Sequence, residues 1–144
     1  MRRLIPGVLL LALVTGVAGC NDNNNITTPT TPTTTTNQST TTETFNGTLN
    51  MNGAQTFPFT AGAAGTITAT LTAVGPDATL AIGLALGSWT GSACQVSIAN
   101  DAAVQGAAVP GTVTAAAALC ARVYDTGKVT AAQPVSFTIT VTHP

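Results

Sequence analysis

Charge is what this sequence has least of. Only 6% of its 144 residues are charged, four Lys plus Arg against five Asp plus Glu, where soluble domains carry about 25%. With no basic face to displace phosphate counterions, the chain is not expected to bind nucleic acid. One His and three Cys are too few soft ligands for a rich metal centre, and no cofactor is expected. A hydrolase elbow of the form G-x-S-x-G is missing from the sequence. His143, the penultimate residue, is expected on a frayed end. No catalytic residue is therefore assigned, and the protein is not expected to be an enzyme. What fills the gap left by charge is 29 Thr and 24 Ala. The length allows one ordinary domain and whatever precedes it.

The first 19 residues read as an address. Met1-Arg2-Arg3 is basic, and Leu4 to Gly19 is an apolar run of 16 residues broken by Pro6, Gly7 and Thr15. A spanning helix needs about 20, so the run is expected to be a secretory signal. Val17-Ala18-Gly19-Cys20 resembles the bacterial lipobox, with Val17 where Leu is usual. That resemblance implies that Cys20 is acylated and becomes the mature N-terminus. From Cys20 onward the cations are Arg122 and Lys128 and the acids are Asp22, Glu43, Asp77, Asp101 and Asp125, so the side-chain charge is 2 minus 5, or minus 3. Such a chain has no polybasic patch to hold it on anionic lipid, so palmitate-type acyl chains would be its whole membrane anchor. Asn21 follows the cysteine in place of Asp, which favours the outer membrane where the organism has one. The expected location is the cell envelope, with the domain facing periplasm or exterior.

Residues 20–43 are expected to form a stalk. Thr27 to Thr42 holds 11 Thr, two Pro and one Ser in 16 residues, and with no hydrophobic period it has nothing to bury. From Thr44 to Pro144 the dominant period is 2. Thr66 to Ala73 and Ser136 to Thr142 alternate threonine with apolar residues, the mark of strands with one wet face. Leu80 to Leu86 alternates large with small, as a central strand crowded on one side would. Further strands are expected at Thr44 to Met51, Gln55 to Thr60, Cys94 to Ala99, Ala107 to Thr114 and Leu119 to Asp125. Turns are expected at Gly75-Pro76-Asp77, Gly87, Asn100-Asp101, Pro110-Gly111 and Asp125-Thr126-Gly127. Eight short strands so spaced predict an all-β antiparallel sandwich over 44–144. Its core is expected from Phe45, Leu49, Phe57, Phe59, Ile67 and Leu71, then Leu80, Ile82, Leu84, Val96 and Ile98, then Val123, Phe137, Ile139 and Val141.

Cys94 and Cys120 are expected to form a disulfide, since export places them in an oxidising compartment. Strand parity sets Cys94 on the face of Val96 and Ile98 but Cys120 opposite Leu119, Ala121 and Val123. Either a bulge shifts one register, or the cysteines meet where a strand end crosses an edge.

Four segments together resemble the bacterial pre-peptidase C-terminal domain. They are Gly65-Thr66-Ile67-Thr68-Ala69-Thr70-Leu71, Pro76-Asp77-Ala78-Thr79-Leu80-Ala81-Ile82, Leu119-Cys120-Ala121-Arg122-Val123-Tyr124-Asp125 and Phe137-Thr138-Ile139-Thr140-Val141. The resemblance covers roughly Phe45 to His143, and it implies an eight-stranded jelly-roll-like sandwich. It also implies a non-catalytic module that binds polysaccharide or a protein polymer such as collagen, or that assists an exported peptidase. Leu119 replaces the family's usual aromatic, and no attached peptidase is expected.

Asp77, Asp101 and Asp125 fall at expected turns, where Asp binds local backbone amides. A loop-end calcium site using Asp101 or Asp125 is the alternative. Trp89 and Tyr124 are the candidate ligand-binding residues, Trp89 as a stacking platform or as a plug at one end of the sandwich. Arg122 shares Tyr124's face and is expected to pack with it.

Overall fold

A computed structural model of the protein describes residues 39–144. The expected signal segment, Cys20 and the stalk up to residue 38 lie outside the described residues.

Eight strands run through the domain in chain order: β1 (Thr41–Leu49), β2 (Ala54–Ala61), β3 (Gly65–Gly75), β4 (Ile82–Trp89), β5 (Cys94–Ala103), β6 (Ala108–Val113), β7 (Ala117–Tyr124) and β8 (Val135–His143). They form two four-stranded antiparallel sheets. The first has the order β1-β8-β3-β6 and the second β2-β7-β4-β5. This is the double Greek key of a jelly roll, so the all-β eight-stranded sandwich is confirmed. At one side of the sandwich the edges are β1 and β2, and at the other they are β5 and β6.

The alternation that defines the strands also builds the core. In β8, Val135, Phe137, Ile139 and Val141 are buried while Ser136, Thr138, Thr140 and Thr142 are not. Full burial of each such aliphatic chain is worth about 1.5–3 kcal/mol, and the β-branched Thr fits the pleat while its hydroxyl stays wet. Along β3 the alternation breaks at Thr72, a bulge between Leu71 and Ala73 against β8. The bulge turns Val74 inward, where it is buried. Phe45 and Phe57 pack partly buried against the core, stacked with centroids 5.0 Å apart, and Phe57 meets the edge of Phe137 at 6.0 Å.

Several boundaries differ from the sequence reading. β1 starts at Thr41, not Thr44, because residues 41–43 pair with the end of β8, Thr41 opposite His143 and Glu43 opposite Val141. These residues belong to the domain and not to the stalk. β4 does not stop at Gly87 but runs on to Trp89, and Leu80 precedes it; the turn falls at Thr90–Ala93, closed by the Thr90 amide on the Ala93 carbonyl at 3.0 Å. Asn100-Asp101 lies inside β5 and Pro110-Gly111 inside β6. Both are edge strands, where proline and bulges are tolerated.

Val96 and Ile98 are not core residues: they are 46% and 41% exposed. Their strand carries an extra residue. Ile98 pairs with Leu86 but Val96 pairs with the very next residue, Gly87, so Ser97 is bulged out. The bulge turns Val96 and Cys94 to the outer face of the sheet and leaves Ile98 toward the inside, at an open margin.

The same bulge resolves the cysteine parity. Cys120 pairs with Gly87 of β4, and Cys94 pairs with Trp89, so both cysteines face outward. The Cys94–Cys120 disulfide forms, with Cα atoms 5.8 Å apart, and links β5 to β7 across the intervening β4. Gly87 makes the crossing feasible: a Cβ there would overlap the backbone of Gln95. The bridge closes a 27-residue loop, worth about 3.5 kcal/mol on the chain-entropy model. Replacing Cys94 and Cys120 together by Ser is expected to lower stability by about that amount and the thermal midpoint by roughly 15–25 °C, read by circular dichroism. Thiol titration of the denatured, unreduced protein should find neither cysteine free.

Candidate functional site

The sandwich is closed at β1 and β2 but opens on the other side. Between edge strands β5 and β6 lies a cleft of about 660 Å3 that reaches into the core, within the roughly 300–1,000 Å3 of ligand cavities. Phe59, Ile67, Leu86 and Leu119 form its floor, and all four are core residues. Ile98 stands on the β5 side and Pro110 and Val113 on the β6 side, with Ser88, Ser97 and Thr112 also along it. No ionisable side chain lines it.

One residue of β6 adds to its width. Val109, Gly111 and Val113 occupy the inward positions of that strand, and Gly111 pairs with the buried Ile67 of β3. A glycine thus stands where the period calls for an apolar side chain, and the space it leaves is part of the cleft. Pro110-Gly111 has the chemistry of a turn, which conceals the cleft in the sequence. The signal was present as a glycine in the inward slot of a strand pattern.

The outer face of the second sheet carries the other functional candidates. Gly83, Ala85 and Gly87 of β4 face outward yet are buried, because β7 and β5 lay side chains and backbone over them. The Tyr124 ring occupies the space a Cβ of Gly83 would need. Tyr124 donates its hydroxyl proton to Asp101 Oδ1. Arg122 Cζ lies 5.9 Å from the ring centroid, within cation–π range, and Nε of Arg122 is buried without a hydrogen-bond partner. Burial disfavours the phenolate of Tyr124, and the bond to Asp101 and its charge act in the same direction while Arg122 opposes them. The hydroxyl is pushed up to about 12 and stays a donor at neutral pH. Trp89 is half-buried at the end of β4 beside the disulfide, on the same outer face as Tyr124.

The carboxylates hold loops. Asp125 Oδ1 accepts the amides of Gly127, Lys128 and Val129 at 2.8, 2.8 and 3.0 Å. Its Oδ2 accepts the Asn52 amide at 2.8 Å, which ties the β1–β2 turn to the β7–β8 loop. Asp77 accepts the amide and hydroxyl of Thr79 at 2.8 and 2.7 Å. Asp101, the other calcium candidate, is engaged by Tyr124. Among the described residues no three His, Cys, Asp or Glu side chains gather as metal ligands.

His143 is not on a frayed end. It closes β8, is 4% exposed, and its Nε2 lies 3.0 Å from Glu43 Oε1. Its ring sits 5.2 Å from that of Phe59. The pairing joins the first strand to the last, and it escaped sequence reasoning because Glu43 and His143 are 100 residues apart.

For Asp125, burial works against the charge, but four amide bonds outweigh it and hold the carboxyl below the ordinary range. Its contribution to stability is complete above the unfolded value of about 3.9 and drains away as pH falls through the lower folded value. Asp125→Asn is expected to destabilise the domain by about 1–3 kcal/mol at neutral pH, measured by urea unfolding, with the difference from the parent shrinking below about pH 4. No protein-family model matches this chain, and no curated protein does.

Proposed function

We propose that this protein is a cell-envelope lipoprotein, held by acyl chains on Cys20 and displaying on a Thr-rich stalk a sandwich that binds and does not catalyse. What carries the reading is how the domain uses its polar groups. Asp77 and Asp125 organise turns, Asp101 orients Tyr124 and Glu43 holds His143. The carboxylates and the histidine are thus committed to architecture, while the cleft between β5 and β6 is apolar. The resemblance to the pre-peptidase C-terminal domain supports the same reading, as does the lipobox-like Val17-Ala18-Gly19-Cys20.

A second reading, a polysaccharide- or protein-polymer-binding module, is favoured by one observation. Trp89, Arg122 and Tyr124 lie on one outer face, a place for a sugar ring to stack beside a hydrogen-bonding cation. On this reading Trp89→Ala and Tyr124→Ala each reduce retention on insoluble glycan or collagen in pull-down. Retention that neither substitution changes would remove that face from consideration.

Anchoring is tested separately. Mass spectrometry of the mature protein is expected to find an N-terminal Cys20 carrying acyl groups, and Cys20→Ser should move the chain from the detergent-rich to the aqueous phase on phase partition. An unmodified Cys20 at the mature N-terminus would refute the lipid anchor.

A further inference from the structure

We propose that the cleft between β5 and β6 is a binding site for a single uncharged aliphatic chain, of the kind an acyl ester of a neutral lipid carries. The proposal rests on the reading of the domain as a non-catalytic binding module.

Gly111 needs no unusual backbone, since its φ is not in the left-handed region, and a Cβ there would meet Leu86 Cδ1 at an ordinary 3.6 Å. Neither conformation nor crowding calls for glycine at this position. What glycine supplies there is room in the cleft beside Phe59, Leu86 and Leu119, apolar surface that is left facing water and gains from being covered.

With no ionisable group on its walls, the cleft offers a charged ligand nothing to offset its desolvation. Among residues 39–144 four acids face two cations, Arg122 and Lys128, so the domain does not attract an anionic headgroup either. An uncharged ligand is favoured over a free fatty acid.

A polypeptide strand does not suit the cleft. A peptide or a second copy of this chain would dock on such an edge by extending a sheet, which takes an unbroken row of backbone donors and acceptors. Both margins are interrupted where the cleft opens. Ser97 is bulged out of β5, and Pro110 has no N–H to offer from β6; both line the cleft. A hydrocarbon chain asks for no hydrogen bonds, and the cleft suits it.

The test is titration of the full chain carrying Cys20→Ser, so that no acyl group of its own competes, with monolaurin below its micellar concentration, followed by 1H–15N NMR. Saturable shifts confined to residues such as Ser97, Ile98, Gly111 and Leu119 are expected. Gly111→Leu, which places a side chain in the cleft, should weaken binding by about tenfold or more with the thermal midpoint unchanged or raised. Ile98→Asp, an exposed position at the mouth, should weaken it comparably and covers the event that Gly111→Leu fails to fold. Laurate should bind more weakly than monolaurin. No saturable shifts, or shifts that persist in both variants, would overturn the site; laurate binding as tightly as monolaurin would overturn the preference for a neutral ligand. An uncharged apolar peptide that shifts β5 amides while monolaurin does not would replace the aliphatic occupant by a strand. The phase-partition result for Cys20→Ser is read independently, so failure of the anchor and failure of the cleft are distinguishable.

Discussion

The sandwich is organised around a strand that is buried on both faces. β4 sends Ile82, Leu84 and Leu86 into the core and presents Gly83, Ala85 and Gly87 outward, where small side chains let neighbouring groups lie directly on the backbone. Tyr124 rests over Gly83 and the start of β5 crosses at Gly87, so the disulfide spans β4 from above. Strand interiors ordinarily avoid glycine because it packs nothing. Here that deficit is what admits an aromatic ring and a covalent bridge, and a domain with so few charges obtains its second layer of packing from them.

The eight strands were legible because period 2 is a direct image of burial: Thr66 to Leu71 and Ser136 to Val141 state their wet and dry faces residue by residue. Pairing of Cys94 with Cys120 was legible from chemistry, and the bulge that permits it was one of two geometries the parity left open. What the sequence concealed depends on long-range position. Val96 and Ile98 look like a core pair, and only the placement of β5 at an edge, with Ser97 bulged, exposes them. Pro110-Gly111 carries turn chemistry, yet at an edge the proline is tolerated and the glycine becomes an unfilled slot. His143 looked terminal and loose because its partner Glu43 lies at the far end of the domain sequence.

The two margins of the sandwich behave differently for reasons visible in their side chains. At the closed margin, β1 and β2 are joined by the stack of Phe45 on Phe57, with His143 and Glu43 adding a polar contact. At the open margin no aromatic pair bridges the sheets, and Gly111 faces Leu86 across the gap. Candidate residues accordingly separate into two groups. Trp89, Arg122 and Tyr124 cover the outside of a sheet, while the cleft has a floor of core residues, Phe59, Ile67, Leu86 and Leu119.

The register of β1 on β8 has a consequence for how the chain reaches this state. Thr41 pairs with His143, so the first strand of the domain finds its neighbour only when the last has been made. No early segment can close the first sheet alone, since β3 also leans on β8. Assembly is therefore governed by contacts distant in sequence, which places such sandwiches among the slow folders, from milliseconds to seconds. In a chain built this way the second sheet can be complete at Tyr124 while β1 still waits for the strand it pairs with, so the last residues decide when the sandwich closes.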